Sequence, residues 1–296
     1  MTLQGVDTRA TLAVIGGSGF YAMDGVADVS RVHVPTPFGD PSDAIMLGTL
    51  AGMRIAFLAR HGEGHRIGPS EIPARANVWA LKSLGVERII SVSAVGSLRE
   101  ELAPQDMVVP DQLIDRTNGR PSTFFGGGLV AHIAFDAPFC RQVSDVVFAA
   151  AQGAVQAHRG GTLVVIEGPA FSTRAESELY RQWGADLVGM TALPEAKLAR
   201  EAGMCYATLA CVTDYDTWHP DHASVTAEMI LKNLRANAAN AQRVVADAIA
   251  ALPAARDCAC AHALDAALVT PLDRVPADIR RDLAPLLDPY LQEAAR

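Results

Sequence analysis

Residues 11–19 read TLAVIGGSG: five residues of an apolar run, then clustered glycines around Ser18. An apolar run halted by glycines reads as a buried strand entering a tight loop. The same form recurs along the chain. RIAFLA (54–59) ends at Arg60-His61-Gly62, RIISV (88–92) at Ser93-Ala94, TLVVI (162–166) at Glu167-Gly168, and MCYATLACV (204–212) near Asp214-Tyr215-Asp216. A short strand is expected at 187–190 and a strand edge at 107–109. Between these runs, segments 74–84, 138–151, 172–183 and 224–252 carry helical spacing. Gly85 reads as a C-cap, Ser172 as the N-cap of the third helix, and Thr191 as the cap of a helix whose first turn holds Pro194 and Glu195. Strands alternating with helices imply an α/β sheet covered on both faces.

The 296 residues suffice for one large domain with a substantial core. A formal charge of −8 argues against nucleic acid or an anionic membrane as partner. No apolar run approaches the ~20 residues of a membrane span. Residues 1–10 show no basic region followed by an apolar stretch, so the expected location is the cytoplasm. The five cysteines, an odd count, do not suggest a disulfide framework. After Pro253 the character changes to an alanine-rich, cysteine-containing stretch and a polar helical tail. Residues 1–253 are therefore expected to form the domain, and 254–296 an appendage on it or on a neighbouring subunit.

The polar residues at these strand ends are of two kinds. Ser18, Arg60, His61, Ser93 and Thr191 donate hydrogen bonds, and glycine loops and helix N-termini add backbone N–H groups. Such a set suits a compact anion such as phosphate, with Arg60 expected to grip two oxygens at once. Asp214 and Asp216 are acceptors when ionised, and either becomes an acid if burial raises its pKa. An anion beside a carboxylate fits phosphorolysis of an N-glycoside. The purine leaves neutral if its N7 is protonated, and phosphate stabilises and attacks the oxocarbenium-like sugar.

Other readings exist. GSGFYA (17–22) fits the dinucleotide pattern GxGxxA, which would make a dinucleotide-dependent oxidoreductase, but the acidic strand end expected ~20 residues later falls in the proline-rich stretch 36–41. His61 and His65 at i, i+4 lack the order of a zinc helix. Cys258-Ala259-Cys260 is too tight for the usual zinc spacings and shows no partner ligands in sequence, so free thiols or a labile bond are expected there and no metal.

Nine ordered segments go further: IGGSGFY (15–21), TPFGDPSD (36–43), LARHGEGH (58–65), ANVWALKSLG (76–85), SAVGSLRE (93–100), PDQLIDRT (110–117), IEGPAFSTRAES (166–177), GMTALPEAKLARE (189–201) and VTDYD (212–216). Together they resemble the methylthioadenosine phosphorylases of the trimeric purine nucleoside phosphorylase class, over about 12–252. The resemblance implies a single-domain nucleoside phosphorylase fold, with a mixed central sheet flanked by helices. It implies a homotrimer, with a dimer of trimers as the alternative. Inorganic phosphate is a co-substrate, and no metal or organic cofactor is needed. By position, Ser18, Arg60, His61, Ser93, Thr191 and the backbone of Ala94 match the phosphate site. Met190 matches a backbone contact to the ribose and Phe171 a ring against the base. Asp214, Tyr215 and Asp216 match the base-recognition segment, and the two acids are the catalytic candidates. Ser172 and Ala227 match positions tied to base and 5′-group preference. His132 resembles a residue lent across the subunit boundary to the 5′ end.

Asp214 also bears on the base. A carboxylate accepts from the 6-amino group of adenine but opposes the carbonyl of a 6-oxopurine. Relatives acting on 6-oxopurines or methylthioinosine are the alternative. Ala227, small and apolar, suits a methylthio group. The chain departs from the family at Ser18 and Ser93, where Thr is common, at Ala170, where Arg is common, at Ile72-Pro73-Ala74, and in the glycine-rich stretch 124–130.

Overall fold

The computed structural model describes residues 2–3, 6–16, 23, 25–220 and 226–294. Thr2–Leu3 and Val6–Asp7 (β1, β2) pair with each other. Eleven further strands share one sheet: Leu12–Gly16 (β3), Ala27–Val32 (β4), Ile45–Leu50 (β5), Met53–Ala59 (β6), Arg88–Ser97 (β7), Met107–Val109 (β8), Gln112–Arg116 (β9), Ala157–Arg159 (β10), Thr162–Ile166 (β11), Leu187–Gly189 (β12) and Cys205–Asp214 (β13). The helices are Ala74–Ser83 (α1), Arg141–Gln152 (α2), Arg174–Gln182 (α3), Ala192–Glu201 (α4), Ala227–Ala251 (α5), Ala277–Asp282 (α6) and Ala284–Ala294 (α7).

β3 shows why the sheet is covered on both faces. All five of its residues are buried, and they alternate between two cores. Ala13 and Ile15 face one with Val78 and Leu81 of α1, Leu198 of α4 and Leu286 of the tail. Leu12 and Val14 face the other with Val143 and Val147 of α2 and Val244 and Ala248 of α5. A fully buried aliphatic side chain contributes roughly 1.5–3 kcal/mol, so both layers hold β3 in the interior of the sheet. β3, β6, β7 and β13 are mutually parallel where they pair, and their carboxyl ends share one side.

β7 is the pivot of the topology. Its start pairs with β3 as far as Ile15↔Ser91, and its end pairs with antiparallel β12 through Val188↔Gly96 and Leu187↔Ser97. β13 stays on its other edge throughout, with a bulge between Val212 and Asp214. Between Ser91 and Gly96, therefore, one edge of β7 changes partner.

This corrects one expectation. Ser93 does not end a strand. β7 runs on to Ser97, because β13 and β12 supply it with partners. Two boundaries also move. α3 is capped by Thr173 in a reciprocal pair with Glu176, and not by Ser172, and α2 begins at Arg141. Strands β4, β5, β9 and β10 were not anticipated. β4 and β9 are largely exposed and lack an apolar run.

Candidate active site

The partner change in β7 is where the candidate residues meet. Arg60 follows β6, its backbone N–H donates to Gly16 O at 3.0 Å, and its side chain reaches into the gap. There Nη1 donates to Val92 O at 3.0 Å and Nη2 to Ser91 Oγ at 2.6 Å. Nε and Nη2 also donate to the Glu195 carboxylate, on the first turns of α4. Both side chains are buried, 1% and 2% exposed. Tyr206 donates its hydroxyl to the same carboxylate at 3.3 Å. The two-point grip expected of Arg60 is thus directed at Glu195, and what Arg60 brings to the gap is a buried charge offset by its partner.

Thr191 arrives from the other side. Antiparallel pairing of β12 carries Gly189 to the level of Val95 and the next two residues toward Ala94 and Ser93. A Cβ on Gly189 would stand 3.3 Å from Val95 Cγ1 and 3.9 Å from Ala94 O. Thr191 is the N-cap of α4, and its hydroxyl makes no cap bond to its own helix. Thr191 is thereby brought toward the stretch of β7 whose ladder is interrupted, and α4 is broken at Leu193 (φ −116°, ψ 137°) before its regular turns. Ser93 is buried there and Ala94 half-buried.

His61 is buried beside Arg60 and stacks on His65, ring centres 4.2 Å apart. Its Nδ1 lies 2.9 Å from Ile67 O, which can only accept, so Nδ1 carries the proton. Burial, then the Arg60 charge, lowers its pKa from 6.5 to about 4. The ring is neutral at ordinary pH and Nε2 is an acceptor. The sequence placed His61 among the donors; with Nδ1–H turned to Ile67 O, its other ring nitrogen is an acceptor.

The two acids lie at the end of β13, opposite Gly96. The register pairs Asp214 with Gly96, and a Cβ there would stand 3.0 Å from Asp214 Oδ1 and 3.4 Å from Asp216 Cβ. Asp214 accepts from Thr213 Oγ1 at 2.7 Å and from the Asp216 backbone N–H at 2.8 Å. Asp216 takes a left-handed backbone (φ 49°), which turns it back over β7. Burial raises the pKa of both, and the Asp214 charge pushes Asp216 further up. Ser177 and Ser172 lie close enough to temper the charge on Asp216. Yet Asp216 Oδ2 and both serine hydroxyls are buried without a hydrogen bond of good geometry. Buried polar atoms in this condition lack the partner that such atoms ordinarily have.

Phe171 is 39% exposed, at the rim beside Ser172. Met190 packs against Gly168, whose Cβ would stand 2.6 Å from its sulfur. Tyr215 turns away: its hydroxyl donates to Glu100 O at 3.2 Å and its ring stacks edge-on with Trp218. The side chain of His132 is exposed, and its backbone N–H donates to Ala267 O at 2.9 Å. Ser18 lies outside the described residues, as does the side chain of Ala227.

Sequence reading missed two positioning residues. Glu195 passed for a helix-start acid. Arg120 carried no motif at all, yet its Nη1 donates to Met190 O at 2.7 Å and Leu193 O at 2.9 Å, and its Nη2 to Glu167 O. It ties the loop after β11 to the turn that presents Met190 and Thr191. Cys258 and Cys260 are free thiols, as the sequence suggested, but they do have neighbours that it did not show: Cys140, the N-cap of α2, and Cys205 of β13.

Residues 11–250 match the model of the phosphorylase superfamily. An S-methyl-5′-thioadenosine phosphorylase of Gloeobacter violaceus is 57% identical over 288 residues, covering 95% of this chain and 96% of the relative. That of Cereibacter sphaeroides is 49% identical over 95% of this chain and 97% of its own. Among solved structures, a methylthioadenosine phosphorylase from an antarctic soil metagenomic library superposes with a TM-score of 0.91 at 52% identity, covering 95% of this chain and 99% of that one. The Schistosoma mansoni enzyme in complex with adenine gives 0.78 at 34% identity, covering 95% and 98%.

Proposed function

The chain belongs to the phosphorylase superfamily and, within it, to the S-methyl-5′-thioadenosine phosphorylases, and from that membership and the site geometry we propose that it cleaves S-methyl-5′-thioadenosine with inorganic phosphate. Phosphate oxygen attacks C1′ of the sugar, the C1′–N9 bond breaks, and adenine and 5-methylthioribose 1-phosphate leave. Phosphate occupies the interruption in the β7 ladder. Ser93, Thr191, Ser18 and the Ala94 N–H donate to it. The Arg60–Glu195 pair lies beside it, and His61 Nε2 accepts its remaining proton. In a dry, preorganised site these groups stabilise the developing charge without reorganising.

Asp214 and Asp216 take the adenine edge. One accepts from the 6-amino group, and the other presents a proton to N7 so that the base departs neutral. The Tyr215 hydroxyl is engaged elsewhere. Phe171 and Ser172 line the base, the Met190 backbone holds the ribose, and Ala227 adjoins the 5′-methylthio group. The observation that carries this reading is the placement of two buried carboxylates, with an unpartnered Oδ2, against Gly96, directly beyond the anion gap.

Residues 1–253 form the phosphorylase domain and 254–296 an appendage closing over α1. Trp79 Nε1 donating to Asp282 O at 2.8 Å, and the buried Leu283, Leu286 and Leu287, support this. The active assembly is a homotrimer. Val130 and Val269, neighbouring residues 46% and 59% exposed beside His132, support a subunit contact there. Among the described residues no helix is long and apolar enough to cross a membrane.

The test is release of adenine from methylthioadenosine with and without phosphate. Phosphate-dependent release, with 5-methylthioribose 1-phosphate as co-product, is expected. Equal release without phosphate would indicate a hydrolase, and faster turnover of methylthioinosine would favour the 6-oxopurine alternative.

A further inference from the structure

We propose that Cys140, Cys205, Cys258 and Cys260 bind one zinc ion in a closed, structural tetrathiolate site at the end of the molecule opposite the acids. The four sulfurs all lie within 4.8 Å of one another, and the pair Cys205–Cys258 is 3.2 Å apart. A tetrahedral zinc with Zn–S of about 2.3 Å sets its sulfurs about 3.8 Å apart. All four are free thiols. Two disulfides need only two close pairs; here every pair among the four is close, the arrangement one central ion requires.

The surroundings fit the charge. Four thiolates around zinc carry two net negative charges. Cys140 is the N-cap of α2, where the helix dipole favours a thiolate. Arg88 is the register partner of Cys205 on β7, and its side chain is buried on that face. It donates to the carbonyls of Ala254 and Ala255, leading into the cysteine segment, and forms no ion pair with a carboxylate among the described residues. A buried guanidinium calls for a counter-charge, and an anionic metal cluster on the same face supplies one. Cys140, Cys205 and Cys260 are buried and Cys258 half-buried, which gives the ion a way in.

The site has a definite mechanical role. It joins the start of α2, the start of β13 and the tail segment 258–260, three pieces far apart in sequence. Four protein ligands leave no open position for substrate. Asp214 lies nine residues along β13 from Cys205, roughly 30 Å at the usual rise per strand residue. The ion therefore fastens the appendage and takes no part in chemistry.

The untagged full chain is expressed in zinc-supplemented medium, purified by gel filtration after a chelator wash, and assayed for metal by elemental mass spectrometry. One zinc per chain is expected. Cobalt(II) exchanged into the wild-type protein should show the intense sulfur-to-metal charge-transfer band and the visible bands of a tetrahedral thiolate. Stripping the metal should lower the melting temperature by several degrees and leave kcat at low temperature within twofold. C205S and C260S should lose the metal; if either fails to fold, the cobalt spectrum of the wild type still decides. A metal-free chain with all five thiols reactive on unfolding overturns the proposal, as do two disulfides in non-reduced peptide maps or a cobalt spectrum without the thiolate band.

Discussion

Glu195 of α4 holds Arg60, at the end of β6, in an ion pair that water does not reach. Breaking a buried pair by removing one partner leaves an uncompensated charge and costs about 3–5 kcal/mol. E195Q should therefore lose stability of that order in denaturant unfolding. It also leaves the site one unit more positive. Phosphate should raise the melting temperature of E195Q more than that of the wild type, while kcat falls because Arg60 is no longer aimed. An equal phosphate shift in both proteins would mean that the pair does not face the anion.

His61 is neutral in the fold, and the sign of its pH effect follows. Between its ordinary 6.5 and about 4, the unfolded chain binds a proton there that the folded chain refuses. Stability from the neutral ring is complete above 6.5 and lost as pH falls toward 4, by at most about 3 kcal/mol. H61N should flatten this fall when unfolding is measured at pH 7 and pH 5. In the wild type, the NMR titration of the ring should move upward when phosphate is added.

D214N should move base preference. An amide can reorient and donate to a 6-carbonyl, so the ratio of kcat/KM for methylthioinosine over methylthioadenosine should rise about tenfold or more. D216N should cost about 10²-fold in kcat with little change in nucleoside binding, as expected of an acid used in the transition state. Steady-state kinetics on both nucleosides check both statements; an unchanged preference ratio in D214N would place base selection elsewhere.

G96A tests the placement of the acids without touching them. Its Cβ would stand 3.0 Å from Asp214 Oδ1 and 3.1 Å from Val188 Cγ1. Both must give way, and misplaced catalytic groups are costly. kcat/KM for the nucleoside should fall about 10–100-fold, while KM for phosphate stays within about threefold. Equal losses for both substrates would point to general unfolding of β7.

The class of the fold was legible because its central strands are continuous apolar runs, such as 11–15 and 88–92, ending in glycine or polar residues. The acids were legible because Asp214 and Asp216 follow such a run. The length of β7 was not: Ser93 looks like a terminus, and the strand is extended by β13 and β12, which arrive from far downstream. Nor were the partners of Arg60. Glu195 is 135 positions away and reads locally as a helix-start acid. Arg120 and the four thiols were hidden for the same reason. A contact between distant residues leaves no period in the chain, whereas a strand or helix does. The tautomer of His61 depends on one carbonyl, Ile67 O, supplied by the course of a loop.

The change of partner along β7 has a consequence for how the enzyme holds itself together between turnovers. On one edge, the parallel group led by β3 and the group reached through β12 grip the same strand at separate places, with a few residues that pair with neither between them. Whatever occupies that interval bridges the two groups much as a missing strand would. With phosphate placed there as proposed, the co-substrate is also a removable keystone, and each catalytic cycle takes it out and puts another in.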